Sequence, residues 1–447
     1  MRTSDTSRWL ASITLLLVVL LGIGPVWAGR DRAQAQDATP PPEAGLLADR
    51  EVFGFLPYWE LAASESIDLE TVTTIAWFGL EAGVDGRLIR ETADAEPTPG
   101  WAGWNDDAFD VLLERSRLAG VRVVLTVERF SWDRAGKRAT KALLSDPDAR
   151  TVLVDDIVEV IATRGAQCVN LDFEPLPTAV RGDFVRLVRE LRAALDTVDP
   201  SLQLTFDLPP SVTGYPLRRL VGPSAADAVV LMGYEYRTPS SPIAGSVAPL
   251  RDREGLDVRD SVERTLARVP AERVILALPW YGRAWSTRGD ENGAKTRKSE
   301  RYIDAATAVY RSAVARAAVA GRRYDRRQAS AWSVYRSRAD ATSPVSWRQL
   351  WYDDVDSVRS KVGFARRKGL RGIGIWALGY EGGRPELWSA LRYAIERPSD
   401  DQPPLGQASV AAESVIGELR IGEQDGVPVV GEVVKIDLSA ADGSEGS

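Results

Sequence analysis

Short hydrophobic segments alternate with amphipathic segments between residues 52 and 396. The chain has eight hydrophobic segments of strand length, several of them almost continuously apolar, as strands buried on both faces are. They are residues 52–57, 73–80, 121–127, 168–174, 202–208, 228–236, 274–281 and 372–378. The segments between them repeat hydrophobic residues every three or four positions, which is typical of helices that pack one face inward. The alternation therefore predicts a parallel sheet whose strands are connected by helices.

Individual residues indicate where two of these helices begin and end. Asn105 is the expected N-cap of the helix that follows it, and Gly120 is expected to end that helix. Pro147 suits the first turn of the next long helix, and Gly165 suits its end. Both helices then fit between predicted strands.

Eight strands with intervening helices predict an α/β fold, a TIM (β/α)8 barrel, over residues 51–397. A doubly wound open sheet is the second possibility, but no glycine-rich phosphate-binding loop follows the first strand. The segment from Arg283 to Arg371 is too long for a single crossover. It contains a helical pattern at 303–320 and a strand-like pattern at 331–335. We therefore expect a small α+β insertion at about residues 286–350, between strands 7 and 8.

The two ends of the chain differ in pattern from the barrel. Residues 1–35 combine Arg2 and Arg8, an apolar stretch and small residues suited to cleavage, which predicts a signal peptide. An uncleaved N-terminal anchor is the alternative, because the apolar stretch approaches the length that spans a membrane. Residues 36–50 form a predicted linker. Residues 398–447 predict a Pro- and Asp-rich linker followed by a short β-rich tail, with strands at 418–421 and 429–436.

Composition excludes several kinds of chemistry. The chain has no histidine, which excludes Ser-His-Asp and Cys-His catalysis and histidine-ligated metal sites. Its one cysteine, Cys168, cannot form an internal disulfide. Lys and Arg number 56 against 63 Asp and Glu, and they are scattered rather than clustered, so we do not expect nucleic acid as a partner. Carboxylates, tyrosines, amides, arginines and tryptophans remain as candidate functional groups.

An acidic sequence ends the fourth predicted strand. Side chains alternate along a strand, so Asn170, Asp172 and Glu174 share one face. Pro175 follows directly and places Glu174 at the carboxyl-terminal rim, where the active sites of barrel enzymes lie. Burial of neighbouring carboxylates raises their pKa, and a glycosidase needs such a protonated acid as its proton donor.

Other interpretations of these carboxylates remain open. They are also compatible with loop capping or with an ion pair to an arginine such as Arg283, since structural ion pairs perturb carboxylates as well. Magnesium binding is a third possibility, but we find no clear set of further carboxylates for it, and no metal site is expected. Glu128 and Asp207 also approach strand ends and are weaker candidates for the cleft.

Residues 167–174 resemble the signature of glycoside hydrolase family 18, Asp-Gly-x-Asp-x-Asp-x-Glu. The variant Val-Asn-Leu-Asp-Phe-Glu is most similar to the branch of spore-cortex and peptidoglycan N-acetylglucosaminidases. Five further segments are similar to family motifs in the same order, namely residues 54–55, 231–236, 278–285, 351–354 and 374–380. Ordered matches across six segments are more specific than one motif.

The resemblance implies roles for ten residues. Glu174 would protonate the glycosidic oxygen, Asp172 would hold the substrate's acetamido N–H, and Tyr234 would hydrogen-bond its oxygen. Substrate-binding residues implied in the same way are Asn170, Glu235, Met232, Trp376, Tyr281, Arg283 and Phe55. Within the family the substrate's own acetamido group acts as the nucleophile. Three positions depart from the motifs, because Gln167, Asn170 and Glu235 stand where the family has aspartate.

The resemblance thus implies a glycoside hydrolase that cleaves β-1,4-linked N-acetylglucosamine glycans, such as chitin or peptidoglycan, without a cofactor. We expect a monomer, secreted or in the cell envelope, with no membrane contact beyond the possible N-terminal anchor. A non-catalytic carbohydrate-binding barrel of the chitinase-like lectin type is the main alternative. An envelope scaffold that presents the C-terminal tail is a further one.

Overall fold

The computed structural model describes residues 50–299, 301–396, 421–424 and 427–430. The predicted signal peptide or anchor at 1–35, the predicted linker at 36–50 apart from Arg50, and residues 397–420 lie outside the described residues. Within the described part of the chain, no helix is both long and apolar enough to cross a membrane.

The first part of the chain supplies seven parallel strands and the helices between them. The strands are β1 (Glu51–Pro57), β2 (Thr74–Glu81), β3 (Arg122–Phe130), β4 (Cys168–Glu174), β5 (Gln203–Leu208), β6 (Ala228–Met232) and β7 (Val274–Pro279). The helices are α1 (Pro99–Trp104), α2 (Asp107–Ala119), α3 (Arg134–Ser145), α4 (Pro147–Arg164), α5 (Arg181–Val198), α6 (Leu217–Leu220) and α7 (Val258–Leu266). Short 3-10 helices cover Tyr58–Ser66, Thr178–Val180 and Ala271–Arg273.

An α+β insertion follows β7. It contains β8 (Tyr281–Thr287), β9 (Ala306–Val309), α8 (Tyr310–Ala320), β10 (Arg323–Asp325), β11 (Ser330–Ser337) and β12 (Ser346–Tyr352). The chain then returns to the barrel through α9 (Val355–Arg367), β13 (Gly372–Trp376) and α10 (Glu386–Glu396). Strand β13 pairs with both β7 and β1, so the eight parallel strands form a closed barrel. The prediction of a TIM barrel with an insertion between strands 7 and 8 is confirmed.

The barrel closes tightly at Gly374 of β13. A Cβ atom at this position would lie 2.8 Å from the Cβ of Ala277 on β7, which is closer than two carbon atoms can approach without displacement. Glycine therefore permits the approach of the strands that completes the barrel.

Besides β13, which ends at Trp376 rather than at residue 378, two predicted strands end earlier than the hydrophobic pattern suggested. Strand β6 ends at Met232 rather than at residue 236, because Glu235 has a left-handed φ of 63° that cannot continue a strand. The seventh barrel strand ends at Pro279, and Tyr281 already begins β8 of the insertion. Both corrections concern residues at the rim of the barrel.

The predicted helix ends are largely confirmed. Pro147 occupies the first turn of α4, and Gly120 and Gly165 end their helices with left-handed φ values of 70° and 68°. The predicted N-cap of α2 is wrong by one residue. The Asp106 carboxylate, rather than Asn105, accepts a hydrogen bond from the N–H of Ala108 at 2.8 Å, because its oxygen reaches the free amide of the first turn.

The insertion is built on a second sheet. Strands β9, β8, β12 and β11 are neighbours in antiparallel order, and β10 pairs with β11. Strands β14 (Ile421–Gln424) and β15 (Val427–Val430) form an antiparallel pair, and β15 pairs with β11 at Arg336 and Val429. The bounds of β14 and β15 differ from the tail strands that the sequence pattern indicated, parts of which lie outside the described residues.

A buried ion pair joins the insertion to the barrel. Asp353, directly after β12, pairs with Lys361 of α9, and both side chains are almost completely removed from solvent. The Ser330 hydroxyl of β11 donates a second hydrogen bond to Asp353 at 3.1 Å. A buried charge that loses its partner destabilises a protein strongly, whereas removal of both charges costs much less.

We therefore expect Lys361→Met to lower the free energy of unfolding by about 3 to 5 kcal/mol, because it leaves the Asp353 carboxylate buried without a cation. The double variant Asp353→Asn/Lys361→Met should recover at least half of this loss. Urea unfolding at pH 7 measures both values. A loss below about 1 kcal/mol for Lys361→Met, or no recovery in the double variant, would contradict the structural role of the pair.

Candidate active site

A cleft with a volume of about 530 Å³ opens at the carboxyl-terminal ends of the barrel strands. Carboxyl groups, aromatic rings and one arginine make up most of its wall. The lining residues are Tyr58, Trp59, Phe78, Glu128, Phe130, Trp132, Asp172, Glu174, Met232, Tyr234, Glu235, Tyr281, Arg283, Thr307, Trp376 and Tyr380. A concave site of this size with a few convergent polar groups is typical of small-ligand and oligomer binding.

Strand β4 supplies the acidic residues of the cleft through its alternation. Asp172 and Glu174 both line the cleft, whereas the intervening Phe173 points toward the helices and packs on Phe184 of α5 at 5.4 Å between ring centroids. The period of two along the strand thus delivers two carboxyl groups to one side. Glu174 is the last residue of β4 and lies at the rim, as the sequence predicts.

The Glu174 carboxyl faces the cleft without a cation beside it. Among the described residues, no side chain forms an ion pair with it. Burial, with a smaller effect of the negative charge of Glu235, raises its pKa from the ordinary 4.5 to about 7. Glu174 therefore keeps its proton to a higher pH than an exposed glutamate does, which suits a proton donor.

Asp172 lies deeper than Glu174 and is almost fully buried. Its Oδ1 has no hydrogen-bond partner among the described residues. Burial raises the pKa of Asp172 well above its ordinary value, and the charges of Glu174, Asp207 and Glu128 add to the effect. A buried acceptor without a donor is costly, so this oxygen is available to a hydrogen-bond donor that enters the cleft.

Asn170 lies below the cleft rather than on its wall. Its Nδ2 donates a hydrogen bond to Asp207 at 2.9 Å, and its Oδ1 accepts one from the Thr205 hydroxyl at 2.7 Å. Burial raises the pKa of Asp207, while the hydrogen bond from Asn170 opposes that shift. Asn170 is therefore hydrogen-bonded inside the barrel to Thr205 and to the buried Asp207 carboxyl, and it does not reach the cleft wall.

Glu235, Tyr281 and Arg283 form a connected group on one wall. The Arg283 guanidinium donates to both Glu235 oxygens at 2.9 and 3.0 Å, and the Tyr281 hydroxyl donates to Glu235 Oε1 at 2.6 Å. The possibility that Arg283 neutralises Asp172 or Glu174 is thus wrong, because its guanidinium forms a bidentate ion pair with Glu235. The left-handed backbone of Glu235 aims its carboxylate at this pair.

Trp376, at the end of β13, is the central aromatic side chain of the cleft. Its ring contacts Phe78 at 4.7 Å and Tyr234 at 6.5 Å between centroids, and it remains partly exposed. Phe55 lies behind it at 5.6 Å and is only 1% exposed. Phe55 therefore supports Trp376 from the core and does not line the cleft, in contrast to the sequence expectation.

Eight of the ten predicted site residues are brought together on the cleft wall. They are Asp172, Glu174, Met232, Tyr234, Glu235, Tyr281, Arg283 and Trp376. Asn170 and Phe55 lie beneath this wall, because a barrel strand carries inward-facing residues at several depths and only those nearest its carboxyl end reach the opening.

Sequence reasoning missed two exposed tryptophans at the cleft. Trp59 is 48% exposed and Trp132 is 66% exposed, and Trp132 stacks on Phe130 at 4.3 Å with nearly parallel rings. Each follows a barrel strand by two residues, after β1 and β3. Their positions directly after barrel strands could have identified them from the sequence, because the loops that follow the strands of a barrel form its active site.

Glu128 is a fourth carboxyl on the wall, in addition to Asp172, Glu174 and Glu235. It lies on β3 directly beside Asp172 in the strand register, and its Oε2 has no hydrogen-bond partner among the described residues. Burial, with a smaller effect of Glu81, raises its pKa to about 7. Despite these carboxyls, no group of three or more potential ligand side chains among the described residues is arranged to hold a metal ion.

Comparison with known proteins gives consistent matches. The family model for glycosyl hydrolases family 18 matches residues 131–381. The cortical fragment-lytic enzyme of Bacillus subtilis (strain 168) is 25% identical over 258 residues, which cover 56% of this chain and 55% of that protein. A class V chitinase of Arabidopsis thaliana is 27% identical over 261 residues, covering 55% of this chain and 66% of that protein.

A solved structure shares the fold. The crystal structure of a mutant GH18 chitinase from Cycas revoluta in complex with (GlcNAc)4 has a TM-score of 0.63 and 22% sequence identity. The alignment covers 77% of this chain and 99% of that chain. The sequence matches to curated relatives cover less of this chain than the structural match does. This chain spans about half the length of several of those relatives.

Burial of Glu174 has a consequence for stability. The raised pKa means that the folded state binds the Glu174 proton more tightly than the unfolded state does. This proton binding contributes its full stabilisation below about pH 4.5, and the stabilisation is lost as the pH rises through about 7. We therefore expect Glu174→Gln to raise the free energy of unfolding by about 1 to 3 kcal/mol at pH 8, where the wild-type carboxylate is charged and buried.

The same variant should change stability little at pH 4, where wild-type Glu174 is neutral as well. Urea unfolding at both pH values measures the difference. Glu96→Gln, on an exposed loop, is the matched control and should change neither value. Equal effects of Glu174→Gln at both pH values would contradict the raised pKa.

Proposed function

The chain belongs to glycosyl hydrolase family 18, and from that premise we propose that it hydrolyses β-1,4-linked N-acetylglucosamine glycans by a retaining mechanism. The observation that carries this proposal is the position of the Glu174 carboxyl, which faces an open cleft and forms no ion pair with any side chain in the described part of the chain. Burial there raises its pKa to about 7. Such a group donates a proton at neutral pH and can take it back later in the same reaction.

Glu174 acts first as the acid. Its proton passes to the glycosidic oxygen while the bond from that oxygen to the anomeric carbon breaks. The carbonyl oxygen of the substrate's own 2-acetamido group forms a bond to the anomeric carbon from the opposite face, which gives a cyclic oxazolinium ion. The Glu174 carboxylate then accepts a proton from water, and the water oxygen opens the ring with net retention of configuration.

Asp172 stabilises the charged intermediate. Its unpartnered Oδ1 accepts the acetamido N–H, and the positive charge that develops on the oxazolinium ring favours the ionised form of this buried carboxyl. The interaction is stronger at the transition state than with the neutral substrate, which is the condition for catalysis. The Tyr234 hydroxyl, also on the cleft wall, donates a hydrogen bond to the acetamido oxygen and orients it.

The remaining wall residues bind the sugar. Trp376 presents a partly exposed ring that suits the apolar face of a pyranose, and its contacts with Phe78 and Phe55 hold it in place. Arg283 and Tyr281 keep the Glu235 carboxylate in position to accept hydrogen bonds from hydroxyl groups. Met232 completes the apolar part of the wall.

The proposed substrates are chitin and peptidoglycan, and the proposed location is outside the cytoplasm. Chitin and peptidoglycan both contain β-1,4-linked N-acetylglucosamine, and the relatives include proteins named as a chitinase and as a cortical fragment-lytic enzyme. The export pattern of residues 1–35 supports action outside the cytoplasm, either in the cell envelope or as a secreted protein. The reaction as written uses neither a metal nor an organic cofactor.

The full chain is tested with chromogenic N-acetylglucosamine oligomers and with peptidoglycan. We expect turnover by the wild type, and Glu174→Gln should lower kcat by about 100- to 10,000-fold, because it removes the proton donor. Sugar binding should persist in the variant. The matched control, Glu96→Gln, should retain full activity.

The pH dependence gives a second readout of the same assignment. The kcat/KM of the wild type should fall as the pH rises through about 7, because only protonated Glu174 can donate. Wild-type activity that Glu174→Gln retains would contradict the proposal. Binding of the oligomers without any turnover by the wild type would instead indicate a carbohydrate-binding protein.

A further inference from the structure

Positive charge is concentrated in the insertion. Residues 281–352 contain 15 Arg and Lys against 6 Asp and Glu, a net charge of +9. The whole chain has a net charge of −7, so the rest of it has a net charge of −16. The expectation from sequence that basic residues are scattered is therefore wrong for this part of the chain. A separation of charge on this scale creates a local field that attracts anions.

Several of these cations are exposed and lack an acidic partner. Arg288, Lys295, Arg326 and Arg327 are exposed, and no carboxylate among the described residues forms an ion pair with any of them. Arg322 differs, because it pairs with two carboxylates of the barrel side. Cations without an ion pair in the described part of the chain are available to an external partner.

Two loops that carry these residues are held together. Asn292 lies between Arg288 and Lys295, and its Nδ2 donates to the Asp325 carboxylate at 2.9 Å. Asp325 also accepts from the N–H of Arg327 at 2.8 Å, which fixes the turn after β10. The backbone N–H of Arg288 bonds to the carbonyl of Lys295 at 2.9 Å. The loops therefore present their cations from an ordered surface.

An arginine beside the turn is held by an aromatic ring. The Arg323 guanidinium lies over Trp332 at 4.9 Å from the ring centroid. Contact with the ring face limits the motion of the guanidinium while its N–H edges stay free for carboxylate or phosphate oxygens. We define the cationic surface as Arg288, Lys295, Arg323, Arg326 and Arg327.

The cationic surface belongs to the subdomain that forms one wall of the cleft. Tyr281 and Arg283 of β8 and Thr307 of β9 line the cleft, and β8 connects through β12 to β11, which carries the β10 turn. One long polymer can thus bind in the cleft and to the insertion at the same time. Chitin has no charge, whereas the peptide stems of peptidoglycan carry carboxylates.

We propose that the cationic surface is a docking site for a carboxylate-bearing glycan, namely peptidoglycan, and that it retains the protein on that polymer independently of the cleft. The choice of a glycan as the polyanion rests on the proposed function. The surface acts through charge at several exposed positions, so binding to it is sensitive to salt. Neutral chitin interacts with the cleft alone.

The test is cosedimentation of the full chain with purified peptidoglycan and with chitin, at about 25 mM and about 300 mM NaCl, since screening is weak at the first and strong at the second. We expect binding to peptidoglycan that salt weakens, and binding to chitin that salt leaves unchanged. The variant Arg288→Gln/Lys295→Gln/Arg326→Gln/Arg327→Gln should bind peptidoglycan about tenfold more weakly at low salt, because it loses four screened attractions. Its binding to chitin and its turnover of short neutral oligomers should stay at the wild-type level.

The matched control neutralises four exposed arginines of the barrel that have no acidic partner among the described residues. It is Arg87→Gln/Arg189→Gln/Arg219→Gln/Arg367→Gln, which removes the same charge and should bind peptidoglycan like the wild type. Equal loss in both variants would overturn the proposal, as would equal, salt-insensitive binding to both polymers. Tighter salt-sensitive binding to DNA, to anionic vesicles or to a polyol phosphate polymer than to peptidoglycan would overturn the choice of partner. Loss of oligomer turnover in the wild type bears on the proposed function alone, because docking is measured by sedimentation.

Discussion

Burial of Glu174 beside other carboxyl groups is the interaction on which the site depends. Removal of this carboxyl from water disfavours its charged form, and the negative charge of Glu235 acts in the same direction. The same physics applies more strongly to Asp172, which lies deeper and has further carboxyls around it. The fold thus holds acids in their protonated form near neutral pH at some expense of stability. The proposed roles of Glu174 as proton donor and of Asp172 as a carboxyl that ionises when positive charge develops both depend on this arrangement.

The barrel supplies the constraint that keeps these groups together. Strand β4 is hydrogen-bonded on both sides, so its residues cannot move apart to relieve the repulsion between their carboxyls. Among the residues that the structure describes, Arg283 is the only arginine that lines the cleft, and it pairs with Glu235 rather than with Glu174. The pairing of Arg283 with Glu235 matters for Glu174, because an ion pair at Glu174 would lower its pKa and prevent its proposed action as an acid. The insertion contributes that arginine and also carries the exposed cations that face outward.

Much of this arrangement could be predicted from local sequence patterns. Alternation along β4 and the following Pro175 placed Asp172 and Glu174 at the rim, because strand geometry is regular. Depth along a strand was not predictable in the same way, so Asn170 and Phe55 were expected on the wall but lie beneath it. The Glu235–Arg283 pair joins residues that are far apart in the chain, and its left-handed backbone has no sequence signal. The exposure of Trp59 and Trp132 depends on what packs around them.

A carbon-13 NMR titration of the Glu174 carboxyl tests most directly whether burial raises the pKa of this group toward neutrality in the folded chain. The Glu174→Gln variant assigns the signal by its disappearance. We expect a titration midpoint near pH 7, well above the ordinary 4.5, because the buried carboxyl resists ionisation. A midpoint near 4.5 would show a solvated or charge-neutralised carboxylate and would contradict the account.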